Sequence, residues 1–437
     1  MNKKYDGLII GFALFSMFFG AGNLIFPPSL GIISGTNWFS SMLGFLVTGV
    51  GLPFLAIFAL TKTKGSIYVF AGKVSKNFSL IFNSALILSI GPLLAMPRTG
   101  ATTFEMGVLP FLPKLSQGAL SGVSWLFSAI FFGLTIFFSI KPSKILDRLG
   151  KYLTPTILII LAIIILKGIF FPFGAIDENV ILNQAFSKGF LEGYQTMDTL
   201  AGIIFGAVMI DLIRNKGYQG SEHTSVLFKS SMVAALGLAL VYAGLIFLGA
   251  KTSSMYPAEI ARTELLGNLA ILTMGASAKY LLGLLVAFAC LTTSIGLSAT
   301  VGNFFSKHTS AKYEHIVIAT CVFSMIVANF GVDKIVKLSI PILVFVFPIS
   351  ITLIVLNVFS DILKVRGAYI GGVLGAGLIS MVEALGVMEI KPEFLGNIYN
   401  KMPFSSAGYA WIVPAILGTI IFSFLIKSPV NENELGE

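Results

Sequence analysis

Apolar stretches of membrane-crossing length follow one another along nearly the whole 437-residue chain, with only short polar gaps between them. A transmembrane helix needs roughly 17–25 mostly apolar residues. On that criterion about twelve spans can be placed, at 7–33, 38–60, 79–110, 118–140, 151–173, 190–213, 226–250, 279–305, 314–332, 335–359, 367–388 and 408–427. Charged residues make up only 11% of the chain and the mean hydropathy is +0.91. A soluble domain carries about 25% charged residues, so the uncovered surface must face lipid. The expectation is an all-α polytopic membrane protein forming one domain, 1–437, since no gap is long enough for a separate globular unit.

Lys and Arg crowd into alternate gaps: Lys3 and Lys4, then Lys62, Lys64, Lys73 and Lys76, then Lys141, Lys144, Arg148 and Lys151. Basic residues accumulate on the cytoplasmic side, which places both termini in the cytoplasm. The first span then starts inside and the sixth outside. Two five-helix blocks, 7–173 and 190–359, therefore have opposite topology, with 367–427 added after them. Inverted repeats of this kind place a solute site at the bilayer midplane.

The remaining composition narrows the function. A net charge of +9 spread over loops, without an aromatic-rich basic face, suits lipid headgroups rather than nucleic acid. Cys290 and Cys321 lie inside apolar stretches and read as packing residues. The run after Lys4 continues to about Ile33, too long for a cleaved signal sequence. His223, His308 and His315 lack zinc-ligand spacing, and there is no phosphate-binding loop, so neither an enzyme nor an ATP-driven pump is expected.

Three spans carry interruptions. The first reads Phe18-Phe19-Gly20-Ala21-Gly22-Asn23-Leu24-Ile25-Phe26-Pro27-Pro28. Glycines around an alanine, then asparagine, break a helix easily and free backbone groups that lipid cannot satisfy. Small-residue helix packing is the competing explanation, but the glycine spacing is wrong for it, and Pro27-Pro28 adds a second expected disruption. The sixth span reads Gly193-Tyr194-Gln195-Thr196-Met197-Asp198-Thr199. A carboxylate there costs roughly 2.5–3.5 kcal/mol by insertion scales unless it is paired. Asp198 therefore marks either a solute path or a structural, hydrogen-bonded acid. The third span holds Pro92, Pro97, Arg98 and Glu105; Arg98 and Glu105 share a face two turns apart. Arg98 is a candidate partner for Asp198 or Glu383, or lines the path.

The eighth span contains Ala289-Cys290-Leu291-Thr292-Thr293-Ser294. Consecutive hydroxyls can act as hard oxygen ligands for a small alkali cation, although Ser and Thr also return hydrogen bonds to their own helix.

At residues 18–28, at 193–201 and at Gly91-Pro92-Leu93-Leu94-Ala95-Met96-Pro97-Arg98-Thr99, the chain resembles the bacterial branched-chain amino acid transport system II carriers, over essentially its full length. The resemblance implies a LeuT-type fold with helices one and six broken. It implies that the amides of Ala21 and Gly22 receive a substrate carboxylate, with Asn23 beside them. A sodium site would take carbonyls of Ser16 and Phe19. Helix eight would complete it with Cys290, Thr293 and Ser294, or, one residue earlier, with Ala289, Thr292 and Thr293. Residues 154–166 hold no lysine to replace the cation, which favours sodium over protons. The function so implied is sodium-coupled symport of leucine, isoleucine and valine across a bacterial inner or plasma membrane, with no cofactor beyond Na+ as coupling ion. The ammonium would meet carbonyls of both breaks near Thr196 and Asp198, and the aliphatic tail Phe18, Phe19 and Met197. Alternatives are proton-coupled transport or exchange of another hydrophobic amino acid or a nucleobase, and an ion channel.

Overall fold

A computed structural model describes residues 5–140, 144–171, 173–390 and 393–431. The described residues are helical almost throughout, with only two isolated β-bridges among them. The first expected span is two helices, α1 (Asp6–Phe18) and α2 (Ala21–Ser34), bent by 73°. Seven longer helices are apolar enough to cross a membrane: α3 (Trp38–Lys62), α4 (Lys76–Phe111), α5 (Gln117–Ile140), then Gly220–Lys251, Tyr280–His308, Val332–Val358 and Arg366–Val387. The sixth span is a second bent pair, Ala185–Tyr194 and Asp198–Asn215, at 47°. Shorter apolar helices, Pro155–Phe170, Tyr313–Ala328 and Ile412–Leu425, lie in the fifth, ninth and twelfth expected spans.

In chain order the remaining helices are α6 (Lys144–Phe170), α7 (Ala185–Tyr194), α8 (Asp198–Asn215), α9 (Gly220–Lys251), α10 (Arg262–Met274), α11 (Ala278–His308), α12 (Tyr313–Ala328), α13 (Val332–Val358), α14 (Arg366–Val387), and, beyond a short helix Glu393–Asn400, α15 (Ile412–Leu425). Each broken span packs along the second helix of the other half: α1 and α2 run along α9, while α7 and α8 run along α3. Helices α14 and α15 pack chiefly on each other, with α14 also against α13.

Each break has a local cause. Phe19 (φ −78°, ψ 102°) and Gly20 (φ −130°, ψ −166°) are extended, so the helical ladder stops for two residues. In the sixth span Met197 turns the chain at φ 62°. Left-handed backbone costs an L-residue roughly 1–2 kcal/mol, so the surroundings must hold it there. Pro27-Pro28, expected to add a second disruption, does not: α2 continues through both to Ser34. Proline removes a donor, but its fixed φ is compatible with helix. The Pro28 carbonyl seats against Gly249 of α9, where a Cβ would come within 2.1 Å of it.

Helix α4 kinks at Gly91 (φ −92°, ψ −121°) and Pro92, then resumes at Ala95, which leaves Arg98 in the first turns of the new segment. One irregularity was not foreseen. Helix α3 widens into a π turn at Val47–Gly51. There Thr48 grips both halves of the sixth span, donating from Oγ1 to the Phe190 carbonyl (2.9 Å) and accepting at its own carbonyl from Thr199 Oγ1 (2.8 Å). Gly193 permits that approach, because a Cβ there would lie 1.8 Å from Thr48 Oγ1.

Helix α10, also unforeseen, packs over α2. Glu105 at the end of α4 accepts from Thr263 Oγ1 of α10 (2.7 Å) and from the Val332 N–H that opens α13 (2.9 Å). Arg262 and Asp333 form an ion pair at 2.6 Å beside it. At the opposite end of the bundle, Tyr218 donates to Asp6 of α1 (2.9 Å).

Candidate functional site

The two breaks meet at a buried cavity of about 40 Å³, lined by Phe18, Gly20, Ala21, Gly22 and Asn23 from the first span and by Thr196, Met197 and Asp198 from the sixth. Arg98 and Thr99 enter from α4 and Thr293 from α11. Pockets that hold drug-sized ligands measure about 300–1,000 Å³, so the space between the breaks is smaller than such a ligand occupies.

Asn23 organises the first break. A continuous helix would send the Gly20 N–H to the Ser16 carbonyl; here it donates to Asn23 Oδ1 instead (2.9 Å). The Asn23 amide then reaches across to the sixth span and donates to both oxygens of Asp198 (2.9 and 3.0 Å). Tyr242 of α9 donates to Asp198 Oδ2 (2.6 Å) and is itself hydrogen-bonded by the Asn23 amide. Asp198 is only 1% exposed, and its backbone N–H donates to Thr196 Oγ1 (3.3 Å). This network locks the two breaks and α9 together. A buried carboxylate is stable only when its lone pairs are met in this way.

The amides of Ala21, Gly22 and Asn23 open α2, where N–H groups lack intrahelical acceptors and the helix dipole favours negative charge. Above Gly22 lies the Arg98 guanidinium: a Cβ at Gly22 would stand 2.6 Å from Nη2 and 3.0 Å from Cζ. Arg98 Nη1 donates to the Gln195 carbonyl of the sixth break (2.7 Å), and the guanidinium rests over the Phe26 ring at 5.1 Å. Arg98 thus bridges the two breaks. Glu105 belongs to the outer contacts described above, and Glu383 sits elsewhere, near Gly408 of the α14–α15 connection.

Phe18 lines the cavity and packs edge-on against Phe205 at 5.4 Å. Phe19 does not line it; its ring stacks on Phe15 at 5.0 Å, leaving only its backbone at the break. Among the helix-eight hydroxyls, Thr293 faces the first break, its Oγ1 3.7 Å from a Cβ built at Gly20. Thr292 returns its hydroxyl to the Ala289 carbonyl (2.9 Å), and Ser294 Oγ accepts from Thr135 of α5 (3.4 Å). Cys290 is fully buried beside Thr103. Ser16 is half-buried at the end of α1. Thr293, common to both registers considered from the sequence, is the hydroxyl placed against the break.

Tyr242, Gln195 and Thr48 were missed as functional residues. A tyrosine in an apolar span and a threonine in a helix have many structural explanations, and the role of Gln195 in holding Arg98 lies in its carbonyl. Among the described residues there is no group of three or more His, Cys, Asp or Glu side chains placed to hold a metal ion.

Broken helices that each pack along the second helix of the other half and meet at a polar cavity define a LeuT-type fold, the fold of membrane transporters. The architecture matches the solved structure titled "Inward facing conformation of Mhp1" (TM-score 0.57, 10% identity, 98% of this chain and 94% of that one). It likewise matches MhsT in complex with L-phenylalanine (TM-score 0.54, 15% identity, 95% and 98%). The chain belongs to the family described as "Branched-chain amino acid transport protein", whose model matches residues 3–428. It is 41% identical to the branched-chain amino acid permease BraB of Bacillus subtilis over 95% of this chain and 94% of that one. It is 34% identical to the branched-chain amino acid transport system 2 carrier protein of Pseudomonas aeruginosa over 96% and 95%.

Proposed function

We propose that this chain is a sodium-coupled symporter that imports leucine, isoleucine and valine by alternating access, resident in a bacterial inner or plasma membrane with both termini cytoplasmic. The observation that carries the reading is the cavity at the crossing of the two breaks, within a family of branched-chain amino acid carriers. Apolar Phe18, Met197 and Phe205 suit an aliphatic tail, and the polar break residues suit a zwitterionic head. The sodium site would lie between α1 and α11, using carbonyls at Ser16 and Phe19 and the hydroxyl of Thr293. Neutral oxygen ligands suit an ion that must be released each cycle.

The test is uptake of labelled leucine into proteoliposomes, with sodium and proton gradients imposed separately. Uptake is expected to follow sodium. By linkage, an ion that tightens leucine binding must itself be bound more tightly when leucine is present, by the same factor. Thr293→Ala should raise the sodium concentration for half-maximal uptake about tenfold, or about 1.4 kcal/mol of ion binding. Leucine affinity at saturating sodium should change much less. Ser294→Ala, whose hydroxyl meets Thr135, should have the smaller effect. Uptake that follows a proton gradient and ignores sodium would move the coupling site to Asp198, the buried acid of the second break.

A further inference from the structure

The cavity holds one feature that amide recognition of a carboxylate leaves unused. Arg98 is 4% exposed, and its Nε–H is buried without a hydrogen-bond partner. Its Nη1 is anchored on the Gln195 carbonyl, while its Nη2 projects over Gly22. A buried guanidinium N–H with no acceptor is costly, and that cost falls when a ligand supplies one. Arg98 lines the cavity, with its Nη2 at the N-terminus of α2, so two independent sources of positive potential converge there.

The balancing charge is on the other side. Asp198 lines the same cavity, but its described hydrogen bonds go to Asn23 and Tyr242, and the described ion pairs include none between it and Arg98. The cavity thus offers a cation on one wall and an anion on another, the complement of an α-amino acid's own two charges. We propose that Arg98 receives the substrate carboxylate together with the first-break amides, which makes it a substrate-binding and specificity-determining residue for zwitterions. This rests on the amino acid transport reading above and deepens it. Aromatic support from Phe26 holds the guanidinium plane while Gln195 fixes its reach. Lysine, a point charge without the fork, is a poor substitute.

The experiment uses the full-length carrier in lipid nanodiscs, with leucine as ligand and leucinamide, which keeps the ammonium but lacks the carboxylate, as competitor. Wild-type protein should bind leucine and discriminate strongly against leucinamide. Arg98→Gln should weaken leucine binding at least thirtyfold and collapse the leucine-to-leucinamide ratio toward one, because it also removes the charge that repels the amide. Arg98→Lys should bind leucine about tenfold more weakly and keep most of the discrimination. Loss of packing alone would weaken both ligands together and preserve the ratio. Solid-state NMR on unmutated protein gives a measurement independent of variant folding. The carboxylate carbon of [1-13C]leucine should be dephased by 15N-labelled arginine, since an N–H···O contact of about 2.7–2.9 Å puts carbon and nitrogen within about 4 Å. Bound leucine without that dephasing, or a folded Arg98→Gln protein with a wild-type leucine-to-leucinamide ratio, overturns the proposal. Failure of wild-type protein to bind leucine at all instead rejects the substrate reading on which it rests.

Discussion

Gly22→Leu is expected to reduce leucine transport at least 1,000-fold while leaving a protein that inserts and elutes as a single species. A β-carbon alone would stand 2.6 Å from Arg98 Nη2, closer than non-bonded atoms sit. The guanidinium cannot swing away freely, because Nη1 is bonded to the Gln195 carbonyl and the plane rests on Phe26. Displacing it forfeits a hydrogen bond to a charged group, worth about 1.5–3 kcal/mol. The rest of the leucine side chain then fills a cavity of about 40 Å³, so substrate is excluded as well as its donor being misplaced. The lost hydrogen bond supplies up to about 3 of the roughly 4 kcal/mol that a 1,000-fold loss represents, and exclusion of substrate from the filled space supplies the rest. Gly22→Ala, which brings the clash without the filling, should lie between wild type and Leu. Uptake per folded molecule, normalised by size-exclusion yield and thermal midpoint, checks this; wild-type leucine uptake in a folded Gly22→Leu carrier would remove Gly22 from the site.

How much of this was legible beforehand depended on whether a residue's role left a compositional trace. The first break was readable because Gly20, Gly22 and Asn23 stand inside an otherwise apolar run, where each has a cost that packing does not repay. Asp198 was readable for the same reason, as an acid inside an otherwise apolar span. Most of the long apolar helices were legible because their hydropathy stands out from the polar gaps between them, although helices such as Gly220–Lys251 begin several residues before the expected limit. The hinge of the sixth span was less visible, because it is Met197 in a left-handed conformation, while the nearby Gly193 serves close packing on Thr48. Pro27-Pro28 misled in the opposite direction: proline removes a donor without forcing a break where the helix is held by neighbours. Nothing in the sequence tied Tyr242 to Asp198 across 44 residues, or showed that Phe19 would turn its ring toward Phe15. Those are facts of tertiary approach. Arg98 was visible as a costly charge, but its partner is a backbone carbonyl exposed only once the sixth span unwinds.

Asp198→Asn is the second large effect, expected to lower transport about 100-fold with a smaller loss of expression. In the native network both carboxylate oxygens accept from the Asn23 amide, and Oδ2 also accepts from the Tyr242 hydroxyl. Asparagine is nearly isosteric but replaces one acceptor with an NH2 donor, which in either orientation faces the Asn23 amide, since that amide donates to both native oxygens. One hydrogen bond to a charged group is therefore lost and a donor is left opposed to a donor, at about 1–3 kcal/mol for the unsatisfied group. The substitution also removes the negative charge that offsets Arg98 within the cavity. Because Asn23 accepts from Gly20 at its other end, its reorientation would pass directly to the first break, so transport should suffer more than global stability. Tyr242→Phe separates the two contributions: it deletes one donor but keeps the charge, and should cost roughly tenfold, about 1.4 kcal/mol. The check is initial uptake rate per folded molecule for both variants beside their thermal midpoints. Unchanged rates with lowered midpoints would make the Asp198 cluster a structural brace, whereas equal losses in the two variants would show that its geometry, not its charge, is what the transport cycle uses.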